Sequence, residues 1–158
     1  KDKMTAPGYQ ALEKGDMGVY TLPDGKGGVS VVAGSAFGAR GPARTFSPMN
    51  VYHGTLEQGG TLDCREPADF NTGLLITDGA FAIDEGRRFE HGEFVLFSHG
   101  EGAIRLKAES GSASFLMLSG QPLDEPVAQY GPFVMNTREE VHQAHRDFQD
   151  GVFGDLNF

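Results

Sequence analysis

The sequence predicts an all-β fold with one C-terminal helix, and two features of its hydrophobic pattern support this prediction. Through most of the 158 residues, short apolar runs alternate with turn residues, and the chain contains 23 glycines. Regular short strands with glycine turns are typical of a β-sandwich or barrel. Near the C-terminus the apolar spacing becomes helical, with Val141, Ala144 and Phe148 on one face.

Residues 1–28 are predicted to form a connector or arm with little regular structure beyond one short strand. Proline and glycine recur there too often for a helix, and Asp24-Gly25 is a turn signal. The apolar residues of this range are expected to lie over the folded domain. The barrel itself is predicted to begin at residue 29.

Residues 29–136 are predicted to form the barrel. Apolar runs, several of them alternating with polar residues, predict strands at 29–32, 49–56, 61–64, 72–77, 80–83, 93–97, 103–108 and 114–118. Asp78-Gly79 lies between two apolar runs, which predicts a hairpin turn. Residues 34–44 contain glycines and two arginines that would suit an anion, but they lack the ending of a P-loop, so we interpret them as a structural loop.

A helix is predicted over residues 137–150, followed by a tail over 151–158. Thr137 and Glu140 have the spacing of a capping box, and Gly151 stands where a helix would end. The segment before the helix gathers Tyr130, Phe133 and Met135 without strand alternation. It could fill the barrel of its own domain or contact another domain. We predict these three residues to be an interface, because exposed apolar patches usually mark one.

This same segment, Tyr130-Gly-Pro-Phe-Val-Met-Asn-Thr-Arg-Glu-Glu, closely resembles the C-terminal signature of the pirin family, whose members are two-domain cupin proteins. The similarity extends back through residues 119–127 and forward through 147–151. Residues 34–48 and 3–10 are also similar to pirins. Only the second half of a pirin is covered. The resemblance implies a cupin-type double-stranded β-helix that follows a missing N-terminal cupin domain.

The resemblance also implies an activity for the complete protein. Pirins resemble metal-dependent quercetin 2,3-dioxygenases, in which three histidines and a glutamate of the first domain hold divalent iron or another divalent metal. In this chain, Gly79 and either Gly59 or Gly60 match the glycines that frame a cupin metal motif. The histidine places then fall near residues 65–68, the glutamate place near Thr72 and the last place near residues 95–97. Apart from Glu66, these side chains offer little to a metal. No metal or catalytic residue is therefore expected in this chain.

The histidines provide the alternative metal ligands outside that frame. His91 and His99 bracket a predicted strand, and His53 lies on an apolar one, where a hydrogen-bonded and partly buried side chain is expected. A metal held by His53, His91 and His99 with a nearby glutamate is the last-ranked hypothesis. His142 and His145 share a helix face without a third ligand, so we interpret them as solvent-facing.

Charge and cysteine content exclude some partners. The formal net charge of −9 argues against broad binding to nucleic acid or to an anionic membrane surface. No apolar run is long enough to cross a bilayer. A single cysteine, Cys64, excludes an internal disulfide and fits a reducing compartment. We therefore predict a cytoplasmic protein, with a nuclear location possible in a eukaryote.

Two hypotheses lead for the function. In the first, the chain is the metal-free half of a pirin and gives structural support to the catalytic N-terminal domain, its main partner. In the second, it is an interaction or regulatory module that binds a protein partner. The first predicts that the chain alone does not oxidise quercetin.

Overall fold

The chain divides after Pro122 into two units, Lys1–Pro122 and Leu123–Phe158. A computed structural model of the chain describes residues 2, 5–6, 8–84, 86–109 and 111–154. A short 3-10 turn, Lys14–Asp16, precedes the strands of the first unit. In chain order those strands are β1 (Gly18–Thr21), β2 (Gly27–Ala33), β3 (Ser35–Ala36), β4 (Ala39–Arg40), β5 (Met49–Leu56), β6 (Thr61–Cys64), β7 (Asn71–Asp78), β8 (Ala80–Ile83), β9 (Arg87–Glu90), β10 (Phe94–Phe97), β11 (Ile104–Ala108) and β12 (Ala113–Gly120).

Two antiparallel sheets form the body of this unit. One has the strand order β1-β2-β5-β12-β7-β10, and the other has the order β6-β11-β8-β9. From β5 to β12 the chain passes to the opposite sheet at every connection except the one between β8 and β9. This winding is that of the predicted double-stranded β-helix. A small β3-β4 hairpin is added beside β2.

One cluster of buried side chains draws on both sheets. The rings of Tyr52, Phe81 and Phe115 are fully buried and meet edge to face, with Phe115 centred 6.3 Å from Tyr52 and 5.6 Å from Phe81. Strand β12 alternates between buried and more exposed positions over most of its length. The alternation follows from the two-residue period of a strand, which sends successive side chains to opposite faces.

The predicted strands are confirmed, since each predicted range overlaps an observed strand. The hairpin predicted at Asp78-Gly79 is wrong. Strand β7 pairs with β12 and β10, whereas β8 pairs with β11 and β9, so the chain crosses here from one sheet to the other. Gly79 makes the crossing with a positive φ of 68°. Two apolar runs around a turn look alike in sequence whether the strands pair or face each other across a core.

The expected division between connector and barrel at residue 28 falls inside β2. Strand β1 is an edge strand of the larger sheet and pairs with β2, with Val19 opposite Ser30. Leu22, just after β1, is buried in the core cluster. Much of the predicted arm is therefore built into the sandwich, because an added edge strand satisfies backbone groups and covers apolar surface. Residues 1, 3, 4 and 7 lie outside the described part of the chain.

The second unit contains β13 (Ala128–Tyr130), β14 (Phe133–Met135) and α1 (Arg138–Gln149). The predicted helix and its capping box are confirmed. Thr137 Oγ1 accepts the amide hydrogen of Glu140 at 3.2 Å, and Glu140 Oε2 accepts the Thr137 amide hydrogen at 3.0 Å. Gly151 follows the helix with a φ of 72°. Residues 155–158 of the predicted tail lie outside the described residues.

Strands β13 and β14 pair with each other and belong with the helix rather than with the barrel. The sequence predicts a barrel that extends to residue 136, whereas residues 123–136 belong to the second unit. Phe133 faces α1, with its ring 6.1 Å from that of Phe148 and 6.0 Å from that of His145. The hairpin thus packs an aromatic side chain against the helix of its own unit. Among the described residues, no helix is long and apolar enough to cross a membrane.

Candidate functional site

A polar network lies inside the first unit, where the cupin ligand places were expected. Tyr52, on β5, donates its hydroxyl hydrogen to Glu66 Oε1 at 2.8 Å. Asn50 Nδ2 donates to the other carboxylate oxygen, Glu66 Oε2, at 2.6 Å. Asn50 Oδ1 in turn accepts the Ser35 amide hydrogen at 3.0 Å. Both carboxylate oxygens of Glu66 are therefore engaged by the protein itself.

Burial disfavours the ionised forms of two groups beside Glu66, the Tyr52 phenol and the Cys64 thiol. It raises the pKa of the Tyr52 phenol, and Cys64 and Glu66 raise it further. Burial also raises the pKa of the Cys64 thiol to about 12. The thiolate is the form of cysteine that binds metals and attacks electrophiles. Cys64 is therefore a packed residue of low reactivity.

A cavity of about 210 Å³ lies beside Glu66. Its lining includes Thr72, Phe97 and Ile104 from the strands and Asp84 from the loop after β8. Thr72 is buried and hydrogen-bonds to Ser119, with 2.8 Å between the hydroxyl oxygens. The structure thus brings the expected ligand places together around one small cavity.

The side chains at this cavity do not fit a divalent metal. Pro67, Ala68, Thr72 and Phe97 line it where the motif would need imidazole and carboxylate groups, and among these motif places only Glu66 supplies a donor of the right type. The lining also includes Asp84 and Glu101, which lie outside the motif places. Catalytic metal sites normally use at least three protein ligands. Within the described ranges, no group of three or more His, Cys, Asp and Glu side chains is placed to hold an ion.

The three alternative histidine ligands are not brought together. His91 Nδ1 bonds to the Thr77 carbonyl at 2.8 Å, and His99 Nε2 bonds to Asn71 Oδ1 at 3.0 Å. Asn71 and Thr77 stand at opposite ends of β7, so the two rings are separated by about 20 Å. His53 is exposed, so the expectation that it is partly buried is wrong. Its position on the outward face of β5 follows from the strand alternation that buries Tyr52.

Comparison with known proteins identifies the family. A family model described as the pirin C-terminal cupin domain matches residues 51–154. The chain belongs to the pirin family. A pirin-like protein from Solanum lycopersicum is 36% identical over 159 residues, covering 98% of this chain and 53% of the relative. Pirin from Mus musculus is 32% identical over 157 residues, covering 97% of this chain and 53% of the relative.

Solved structures agree with this assignment to the pirins. The crystal structure of quercetin 2,3-dioxygenase from Acinetobacter baumannii superposes with a TM-score of 0.89 at 38% identity, covering 98% of this chain and 54% of that one. The cupin fold predicted from the sequence is thereby confirmed. The chain spans about half the length of the curated relatives that it matches.

This pirin half presents apolar side chains on the outer face of its larger sheet. Phe94 and Leu96 on β10 are 55% and 73% exposed, and Leu118 on β12 is 40% exposed. Leu96 and Leu118 both stand opposite Gly73 of the intervening strand β7, so these side chains share one face. We call Phe94, Leu96 and Leu118 the outer patch. Patches of this kind commonly mark protein interfaces.

The interface residues predicted for this pirin lie on the β13-β14 hairpin. Tyr130 is 70% exposed, whereas Phe133 and Met135 are partly buried. Tyr130 also contacts the ring of His145, with 6.4 Å between ring centres. His142 and His145 are exposed, as predicted for a solvent-facing pair. The interface role of the hairpin stays a prediction.

Sequence reasoning missed the outer patch and the donors that hold Glu66. A signal for the patch was present, because the run Phe94-Val95-Leu96-Phe97 is apolar at every position. Such a run is typical of a strand that is covered on both faces. The pairing of Tyr52 with Glu66 had no comparable signal, because Tyr52 lies on β5, Glu66 lies in the loop after β6, and the two meet only in the folded barrel.

Proposed function

We propose that this chain is the metal-free C-terminal half of a pirin and that it supports and covers a catalytic N-terminal cupin domain. The complete protein would act as a metal-dependent dioxygenase on quercetin or a related flavonol. Divalent iron, or another divalent metal, would be held entirely by the N-terminal half. The proposal draws on relatives that are about twice as long and include a quercetin 2,3-dioxygenase.

The donor chemistry around Glu66 is the observation that carries this proposal. The places where a cupin would hold a metal carry Pro67, Ala68, Thr72 and Phe97, and the one carboxylate among them is already bonded by Tyr52 and Asn50. Both oxygens of this carboxylate already accept hydrogen bonds from the protein, so it does not need a metal as a partner. This arrangement suits a stable scaffold better than an oxygen-activating centre.

The outer patch supports a role as one half of a larger protein. Exposed phenylalanine and leucine side chains on the edge strand β10, with Leu118 two strands away on the same face, favour burial against a partner, because covering them removes apolar area from water. We assign the N-terminal cupin half as that partner. The hairpin residues Tyr130, Phe133 and Met135 would make a contact of their own, either with the N-terminal half or with a regulatory protein.

Two measurements test the proposal. After dialysis without chelator, the purified 158-residue chain should contain less than about one metal per ten polypeptides and should consume no quercetin. A chimera that joins this chain to the remaining half of the Acinetobacter dioxygenase should bind about one metal and consume quercetin. A stoichiometric metal in the isolated chain would overturn the metal-free assignment.

Variants of the chimera distinguish a supporting role of this chain from a catalytic one. Glu66→Gln in the chimera should leave the metal content unchanged, because Glu66 is not a ligand in this proposal. Leu96→Lys should instead reduce quercetin turnover by loosening the contact between the halves. His53→Ala serves as a matched control, because His53 lies on the same sheet face outside the outer patch. Loss of metal in the Glu66→Gln chimera would contradict the scaffold role.

A regulatory module is the second candidate function, and exposed aromatic side chains on the second unit favour it. Tyr130, Phe148 and Phe153 are all largely exposed around Phe133. Under this reading, a protein partner would bind the isolated chain without the N-terminal half. Charge reversal of Glu139, Glu140 and Asp147 should then abolish binding. We propose a cytoplasmic or, in a eukaryote, nuclear location for either function.

A further inference from the structure

A second cavity opens at the other flank of the barrel, between the two sheets. It has a volume of about 290 Å³, and its lining includes Leu22 and Leu62, both of which are buried. Strands β1 and β6, which border it, are the edge strands of the larger and the smaller sheet. The cavity therefore lies where the sandwich is open, and its floor is apolar.

One wall of the cavity is aromatic. Tyr20 and Phe37 stack with 5.1 Å between ring centres and an angle of 18° between their planes. Phe37 stands at the tip of the β3-β4 hairpin with a positive φ of 53°, which is unusual for a residue with a side chain. Its ring also meets Tyr52 edge to face at 5.6 Å. Gly38 also has a positive φ, so this is the geometry of a two-residue hairpin turn, and the turn fixes the Phe37 ring at the wall of the cavity.

The rim of the cavity is polar but carries no net charge. Arg105 Nε and Nη2 bind the two carboxylate oxygens of Asp63 at 2.7 and 2.8 Å. The pair lowers the pKa of Asp63 and raises that of Arg105, so both groups stay ionised together. The rim also includes the exposed Thr61. It therefore offers hydrogen-bond donors and acceptors side by side.

We propose that this cavity is a binding site for an uncharged aromatic molecule of one or two rings that carries a hydroxyl group. Its volume is at the lower limit of small-molecule pockets, which suits a ligand of that size. The ring would lie against Tyr20 and Phe37, since aromatic rings favour offset or edge contacts. The hydroxyl group would both donate to and accept from the Asp63–Arg105 pair. This site is separate from the cavity at Glu66 and needs no metal.

The probe for this site is 2-naphthol, whose fluorescence can be followed because the chain contains no tryptophan. With the isolated 158-residue chain we expect saturable binding with a Kd on the order of 0.1 mM. Phe37→Gly should weaken binding about tenfold. Glycine accepts the positive φ at this position, so the hairpin backbone is retained. Phe46→Ala is the matched control, because Phe46 is 73% exposed and lies outside the cavity lining.

The polar rim is tested separately with Arg105→Gln, which should weaken 2-naphthol binding about fivefold. Naphthalene-2-sulfonate should bind no more tightly than 2-naphthol, because the Arg105 charge is already paired. Amide chemical shifts on adding 2-naphthol should change most at Thr61 and Leu62, a readout that is valid even if Phe37→Gly does not fold. Any one of three results would overturn the assignment. These are no saturable 2-naphthol binding up to about 1 mM, chemical-shift changes confined to other surfaces, and binding of naphthalene-2-sulfonate that is tenfold tighter than that of 2-naphthol.

Discussion

At the scale of single residues, the Asp63–Arg105 pair shows how a surface contact depends on pH. The Arg105 guanidinium lowers the pKa of Asp63 below its ordinary value of 3.8. Because the pKa is lower in the folded state, the pair contributes to the free energy of unfolding above pH 4, and this contribution is lost as the pH falls through the folded-state pKa. Both side chains are largely exposed, so water screens the interaction and its contribution is small.

Asp63→Asn should therefore remove part of the acid sensitivity of the fold. We expect the melting temperatures of the wild-type and variant chains to differ most at pH 5 to 7 and to converge as the pH falls below 4. Circular dichroism melts across this range measure the effect. The double variant Asp63→Asn with Arg105→Gln should follow the same profile as the single variant. A constant difference at every pH would show that the ion pair does not cause it.

Cys64 illustrates the opposite case, a buried group whose ionised form is disfavoured. Burial raises the pKa of the Cys64 thiol from its ordinary value of 9.0 to about 12. The buried, protonated thiol therefore contributes fully to the free energy of unfolding below pH 9, and this contribution is lost as the pH rises toward 12. At pH 8 the folded chain should react with Ellman's reagent on the order of 100-fold more slowly than the chain in guanidinium chloride. Rapid labelling of the folded chain would mean that the thiol is accessible.

At the scale of elements, two strand glycines test how tightly the sheets are packed. Gly54 of β5 stands opposite Phe115 of β12, and an added Cβ would overlap the buried Phe115 ring. Gly73 of β7 lies under the ring of Phe94, which is on the exposed face. A methyl group added at Gly54 therefore meets a ring that is fixed in the core, whereas one added at Gly73 meets a ring that can move.

Gly54→Ala should lower the free energy of unfolding by about 2 to 3 kcal/mol, because the core cannot move aside. Gly73→Ala should cost less than about 1 kcal/mol, because Phe94 can turn into solvent. Urea denaturation of both variants measures the difference. Equal losses would show that Phe94 is held as firmly as Phe115, and thus that the outer patch is rigid.

At the scale of the whole molecule, the outer patch bears on whether this barrel needs a partner to cover one of its sheet faces. Phe94, Leu96 and Leu118 are carried by strands whose opposite faces build the core, so the larger sheet is apolar on both sides there. Parallel or antiparallel sheets with two apolar faces are normally covered on both. A half-length chain with such a face is consistent with the proposed N-terminal partner.

Leu96→Lys should leave the isolated chain folded, because the Leu96 side chain is already 73% exposed. Its melting temperature should change by no more than about 2 °C. Self-association of the isolated chain at high concentration should fall, as measured by sedimentation velocity. A matched change on the other sheet, Lys107→Ala, should not alter association. Unfolding of the Leu96→Lys chain would show that Leu96 packs within its own unit.

The sequence alone determined the elements of this protein and the family to which it belongs. Strand periodicity located β5 to β8 and β10 to β12, and the Thr137 and Glu140 spacing located the helix start, because these signals come from residues close together in the chain. The signature around Tyr130 identified the pirins for the same reason. Local patterns of this kind do not depend on how distant segments meet.

Only the tertiary structure decided which distant side chains share a site. It joined Tyr52 to Glu66, separated His91 from His99 along β7, and brought Tyr20, Phe37 and Arg105 around one cavity. It also turned the Asp78-Gly79 pattern from a hairpin into a crossing between sheets. Strand pairing and sheet packing determine these arrangements, and both depend on contacts between residues far apart in sequence, which local periodicity does not specify.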